Sequence, residues 1–104
     1  MSINAGFKLI IDPLADKEFH NSIDWYEENL PDLGVEFTNE VTRVLEFIEQ
    51  NPYTFQLKKS KFREAPVKTF PFLIIYKIIP EKKEIHILSI FHTSRNPKEK
   101  RKRK

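Results

Sequence analysis

The chain has 104 residues, which fits one compact domain and leaves no room for a separate cofactor-binding domain. A hydrophobic content of 39%, with 9 Phe, 3 Tyr and 1 Trp, can supply a core, and the absence of Cys excludes a disulfide framework and a thiolate metal site. The formal net charge of +3 hides two opposed halves: residues 1–57 carry 3 basic against 11 acidic side chains, and residues 58–104 carry 15 against 4. A −8 half joined to a +11 half predicts a cationic face suited to phosphate or an acidic peptide, and a separate anionic face. Residues 1–6 contain no Lys or Arg and the apolar run 7–11 is interrupted by Lys8, so no signal peptide is predicted. The longest apolar stretch, 70–76, falls far short of the roughly 20 residues of a membrane span. A cytoplasmic, reducing location without membrane contact is expected.

Phe7-Lys8-Leu9-Ile10-Ile11 reads as a strand, closed by Asp12-Pro13, where Asp suits a helix cap and Pro the first helical turn. Ala15, Phe19, Ile23, Tyr26 and Leu30 then recur at helical spacing, with Asp16, Glu18, Asp24, Glu27 and Glu28 largely outside the stripe. The segment 29–34, containing Pro31 and Gly34, breaks this acidic helix. A second follows with Phe37, Val41, Val44, Leu45 and Ile48 on its apolar face and stops at Asn51-Pro52. So short a connection predicts an antiparallel helical hairpin.

The chemistry of the chain changes after Leu57. Residues 58–63 form a basic segment, 67–70 a short extended piece, and 72–79 a β-branched, nearly continuous apolar strand suited to the middle of a sheet. After a turn at 80–83, residues 84–92 alternate, placing Ile85, Ile87, Ser89 and Phe91 on one face and His86, Leu88, Ile90 and His92 on the other. The two long strands are expected to pair as a hairpin. The order predicts an α+β domain over residues 1–97, with an N-terminal strand, a helical hairpin, and a mostly antiparallel sheet of three to four strands. Residues 98–104 form a basic run without an apolar anchor, expected to be a flexible tail. Only two Gly occur, which excludes Gly-rich nucleotide loops, and His20, His86 and His92 have no zinc-type spacing, so neither cofactor nor metal is expected.

Residues 71–78 (Pro-Phe-Leu-Ile-Ile-Tyr-Lys-Ile), 85–92 (Ile-His-Ile-Leu-Ser-Ile-Phe-His) and 93–97 (Thr-Ser-Arg-Asn-Pro) together resemble the C-terminal signature of the RelE/ParE toxin superfamily. Ala15 with Trp25-Tyr26, Gly34-Val35-Glu36-Phe37, and Asn51-Pro52 followed by a basic segment ending in Arg63 fit the same pattern, which spans about residues 7–97. The resemblance implies the toxin of a type II toxin–antitoxin pair, a plasmid-stabilisation type of protein, with a helical hairpin against a small antiparallel sheet. It also implies two modes of action: RelE-like members cut ribosome-bound messenger RNA, and ParE-like members inhibit DNA gyrase.

Metal-free RNA cleavage requires an acid and a base, with cations around the phosphate as charge builds. His92 is the candidate acid or base, since imidazole titrates near neutrality. Lys58, Lys59, Lys61, Arg63 and Arg95 are the candidate phosphate- or partner-binding residues, the arginines being capable of two-bond contacts. Arg63 and Arg95 join His92 in the catalytic set if the protein is a nuclease. Each residue also has a plain structural role open to it: His92 in packing or capping, Arg95 in tying down the chain end, and the lysines in guarding a sheet edge. Tyr76 and Trp25 read as core and His20 as surface. RelE-like nucleases commonly carry a Tyr near the C-terminal end, and no Tyr follows Tyr76 here, which favours the ParE-like branch and a non-enzymatic toxin. The expected partners are a cognate antitoxin and either gyrase or the ribosome with its message. A third reading is a nucleic-acid-binding module that uses the basic tail, whose affinity would fall steeply with salt.

Overall fold

A computed structural model describes residues 6–59 and 61–94. Strand β1 (Lys8–Ile11) leads into helix α1 (Pro13–Asn29), and helix α2 (Leu33–Gln50) follows. Four strands complete the chain: β2 (Leu57–Lys58), β3 (Phe62–Pro66), β4 (Phe72–Ile79) and β5 (Glu84–His92). They form one five-stranded sheet in the order β1-β5-β4-β3-β2, antiparallel except for the β1–β5 pair. The α+β architecture is as expected, with one strand more in the sheet. No described helix is long and apolar enough to cross a membrane.

The predicted extended piece at 67–70 is displaced to Phe62–Pro66. Thr69 takes a left-handed φ of 67°, and the Val67 N–H donates to the Phe72 carbonyl at 3.0 Å, so these residues turn the chain between β3 and β4. The turn at residues 80–83 is a single 3-10 turn, Pro80–Lys82, ended by Lys83 at φ 56°.

The alternation expected for β5 holds only for its first half. Ile75 pairs with Ser89 and Tyr76 with Ile87, so Leu88 is an extra residue that shifts the phase of the strand. Ile85, Ile87 and Ile90 are buried towards the helices, while Ser89 and Phe91 face the opposite side of the sheet. A one-residue shift exchanges the two faces. Apolar residues stand at both phases of the strand around the bulge, Ile87 and Ile90 on one side and Leu88 and Phe91 on the other, so the alternation gave no sign of it.

The helices cover one face of the sheet with an aromatic cluster. Phe37 is fully buried, its ring centroid 4.7 Å from Phe72, 5.1 Å from Tyr26 and 5.3 Å from Phe70. Val41 and Ile48 continue the α2 stripe against Ile74, Tyr76 and Ile87. One expected stripe position is corrected on α1: Leu30 lies beyond the last helical residue and is exposed, whereas Ser22, outside the predicted stripe, is buried. Trp25, expected in the core, is 42% exposed. A Cβ at Gly34 would meet the Glu27 side chain at 2.5 Å, a contact that the exposed Glu27 can relieve by swinging outward.

Candidate interaction face and the site residues

β1 is so short that it pairs with only the first half of β5, Lys8 to Ile11 opposite Glu84 to Ile87. The chain then turns into α1, with the Asp12 N–H donating to the Ile87 carbonyl at 2.9 Å. No side-chain cap from Asp12 forms. From there α1 runs along the remaining open edge of β5. The Ser89 hydroxyl and the Ile90 N–H both donate to Glu18 Oε1, each at 2.8 Å. A carboxylate thus takes the place of a missing strand partner, meeting the requirement that a buried backbone N–H find an acceptor. Periodicity had placed Glu18 outside the apolar stripe, and no local signal identifies a partner 72 residues away.

The sheet face opposite the aromatic cluster is open, and a groove of about 500 Å³ crosses it. Phe62, Leu73, Ile75, Leu88 and Phe91 line it from the sheet and Leu14 and Glu18 from α1. Lys58 and Lys59 stand on its β2 side, with Glu64 one strand further in. Both lysines are exposed and neither forms an ion pair among the described residues. Lys59 has a left-handed φ of 52°, and the Lys61 N–H donates to the Lys58 carbonyl at 3.1 Å, so the lysines belong to a tight β2–β3 turn. Lys61 is exposed on that turn.

The other predicted site residues lie elsewhere. Arg63 is held inward: its guanidinium donates to the Phe55 carbonyl at 2.7 Å and its Cζ lies 5.2 Å from the Tyr53 ring centre. It sits opposite Tyr76 in the β3–β4 pairing, and the Tyr76 hydroxyl donates to the Pro52 carbonyl at 2.8 Å. Arg63 and Tyr76 together fasten the loop between α2 and β2. His92 pairs with Phe72 across the β4–β5 hairpin and packs edge-on against its ring at 5.0 Å, on the helix-covered face. Its Nδ1 accepts the Ser94 N–H at 3.0 Å. His92 and the lysines therefore occupy opposite faces and opposite ends of the sheet. Arg95 and the tail at 98–104 lie outside the described residues. His20 is exposed beside Asp16, as expected of a surface residue.

Tyr76 and Glu84 depart from their ordinary values. Burial pushes the Tyr76 hydroxyl up from 10.0 to about 12, against the opposing pull of the Arg63 guanidinium. A hydrogen bond from His86, 2.9 Å away, holds the Glu84 carboxyl below its usual range. The Tyr76 shift sets an expectation at alkaline pH. The folded chain keeps the tyrosine proton beyond the point at which the unfolded chain releases it, so this contribution is whole below pH 10.0 and is lost as pH rises through about 12. Denaturant titrations should show a loss of about 2–3 kcal/mol across that window, flattened in Tyr76→Phe.

The sequence model of the "ParE toxin of type II toxin-antitoxin system, parDE" matches residues 9–97. The chain belongs to the ParE toxin family. Two solved structures share its fold. One is described as the chromosomal ParDE TA system from P. aeruginosa, with a TM-score of 0.75 and 17% identity over 86% of this chain and 98% of that one. The other is the isolated E. coli RelE toxin, with a TM-score of 0.64 and 19% identity over 93% of this chain and 97% of that one. No curated protein matches significantly. The expected superfamily and its ParE-like branch are thus the ones found, and the protein is a ParE-type toxin of a toxin–antitoxin module.

Proposed function

We propose that this ParE-family toxin acts in the cytoplasm by binding a replication target, DNA gyrase, and is neutralised by a cognate antitoxin whose inhibitory segment covers the open sheet face. The character of that face carries the reading. Between the lysines of β2 and helix α1, the groove floor is built from Phe62, Leu73, Ile75, Leu88 and Phe91. Apolar and aromatic side chains ringed by charge make a surface for a protein segment. Cleavage of RNA would instead need a proton-transfer group among the phosphate-binding cations. His92, the candidate for that role, packs on the other face against Phe72 with Nδ1 engaged by Ser94. Arg63, a candidate for the phosphate, is committed to the Phe55 carbonyl.

Purified protein added to a gyrase supercoiling reaction and to a translation reaction with ribosome-bound message distinguishes the two modes. Supercoiling is expected to stop while the message stays intact, and His92→Ala is expected to leave the inhibition unchanged. Cleaved message with untouched supercoiling, abolished by His92→Ala, would overturn the proposal.

A further inference from the structure

The groove on the open sheet face has a polarity that an apolar slot alone would lack. On its β2 side stand Lys58 and Lys59, exposed and free of ion pairs among the described residues. On its α1 side stands Glu18. Its Oε1 takes both protein hydrogen bonds, from Ser89 and Ile90, and Oε2 engages no partner among the described residues. The half-buried setting of Glu18 makes its charge count for more than that of a fully exposed carboxylate. Glu64, one strand in from β2, adds a second carboxylate to the floor, so an acidic group on a ligand is accepted at the lysine rim and repelled further in. Apolar side chains fill the space between.

Resting on the reading of this chain as an antitoxin-neutralised toxin, we infer that the groove selects its partner by charge order. The occupant is an amphipathic antitoxin segment that places carboxylates over Lys58 and Lys59, apolar side chains over Leu73, Ile75 and Phe91, and a Lys or Arg at Glu18. Three strand spacings separate β2 from β5, and α1 lies beyond, a crossing of about 24 Å. That length suits an amphipathic helix of about 16 residues. Rejection follows from the same groups: a segment acidic at both ends meets Glu18, and one basic at both ends meets the lysine pair. Charge order then separates cognate from non-cognate antitoxins that share an apolar stripe.

The test uses the full chain and synthetic helical peptides of about 16 residues with one common apolar stripe. One carries two Glu at one end and two Lys at the other, a second carries Glu at both ends, and a third Lys at both. The mixed peptide is expected to bind about tenfold or more tightly than either other peptide at low salt, with the margin shrinking as salt rises. In Lys58→Glu/Lys59→Glu the preference should pass to the peptide with Lys at both ends. Glu18→Gln keeps an acceptor for Ser89 and Ile90, and should bind the mixed and the doubly acidic peptides equally while its thermal melt confirms the fold. Equal binding of all three peptides, binding of none, or a preference unmoved by the lysine reversal would overturn the charge-order inference. Co-expression of the toxin with the products of its adjoining reading frames tests the antitoxin reading separately. Neutralised growth inhibition without a peptide preference would leave that reading standing and the inference refuted.

Discussion

Replacing Phe37 with alanine is expected to remove about 3–5 kcal/mol of stability, a large share of the roughly 5–15 kcal/mol that holds a domain of this kind folded. Phe37 is the centre of the core, fully buried and in ring contact with Phe72, Tyr26, Phe70 and Phe19. Its loss leaves a cavity lined by four rings, held by α1, β4 and the turn between β3 and β4 and unable to collapse far. At about 4–8 °C per kcal/mol, the melting temperature should drop by roughly 12 °C or more. Val35→Ala, two residues away on the exposed face of the same helix, should stay within about 0.5 kcal/mol of the parent. Equal effects of the two substitutions would refute this account of the core.

Glu18→Ala should be the most damaging change of a charged side chain. It strands the Ile90 N–H on a buried strand position and the Ser89 hydroxyl beside it, and bonds to a charged acceptor contribute about 1.5–3 kcal/mol each. Glu18→Gln retains a neutral acceptor and should recover about half of the loss. Amide exchange at Ile90 gives a readout specific to this contact: protection should fall in Glu18→Ala beyond what the change in global stability accounts for, and return in Glu18→Gln. Unchanged protection at Ile90 would show that α1 does not serve as the edge partner of β5.

The difference between Phe37 and Glu18 marks what could be read along the chain. Phe37 belongs to a repeat at helical spacing, and burying such a stripe is the main way a helix gains stability in a folded domain, so its place in the core was legible. The long strands were legible for a similar reason: a run as apolar as residues 72–79 belongs in the middle of a sheet, and the predicted bounds of both long strands are the observed ones. Glu18 follows no repeat. Its function depends on where β1 stops pairing, which is a property of the assembled sheet.

The candidate site was legible in composition and far less so in geometry. Charge counting placed a cationic group at residues 58–63, and Lys58, Lys59 and Lys61 are indeed exposed there. The same count cannot separate Lys59 from Arg63, four residues apart, one at the groove and the other turned inward to the Phe55 carbonyl. Nor does it show that His92 faces the helices, because the Leu88 bulge reverses the strand's facing after Ile87. Trp25 was misplaced for a related reason: aromatic character predicts burial on average, whereas exposure depends on which side of α1 meets the sheet.

By itself the amino-acid sequence determined the order of elements, the helical hairpin, the central strand pair, the division of charge and the ParE-like character, since each follows from local periodicity, chain-breaking residues or a motif. Tertiary structure alone decided the strand order, the bulge, the inward commitment of Arg63 and His92, and the groove with lysines on one side and a carboxylate on the other. Those features arise from contacts between residues far apart in the chain, and their energies depend on burial and register, which exist only once the sheet and helices have come together.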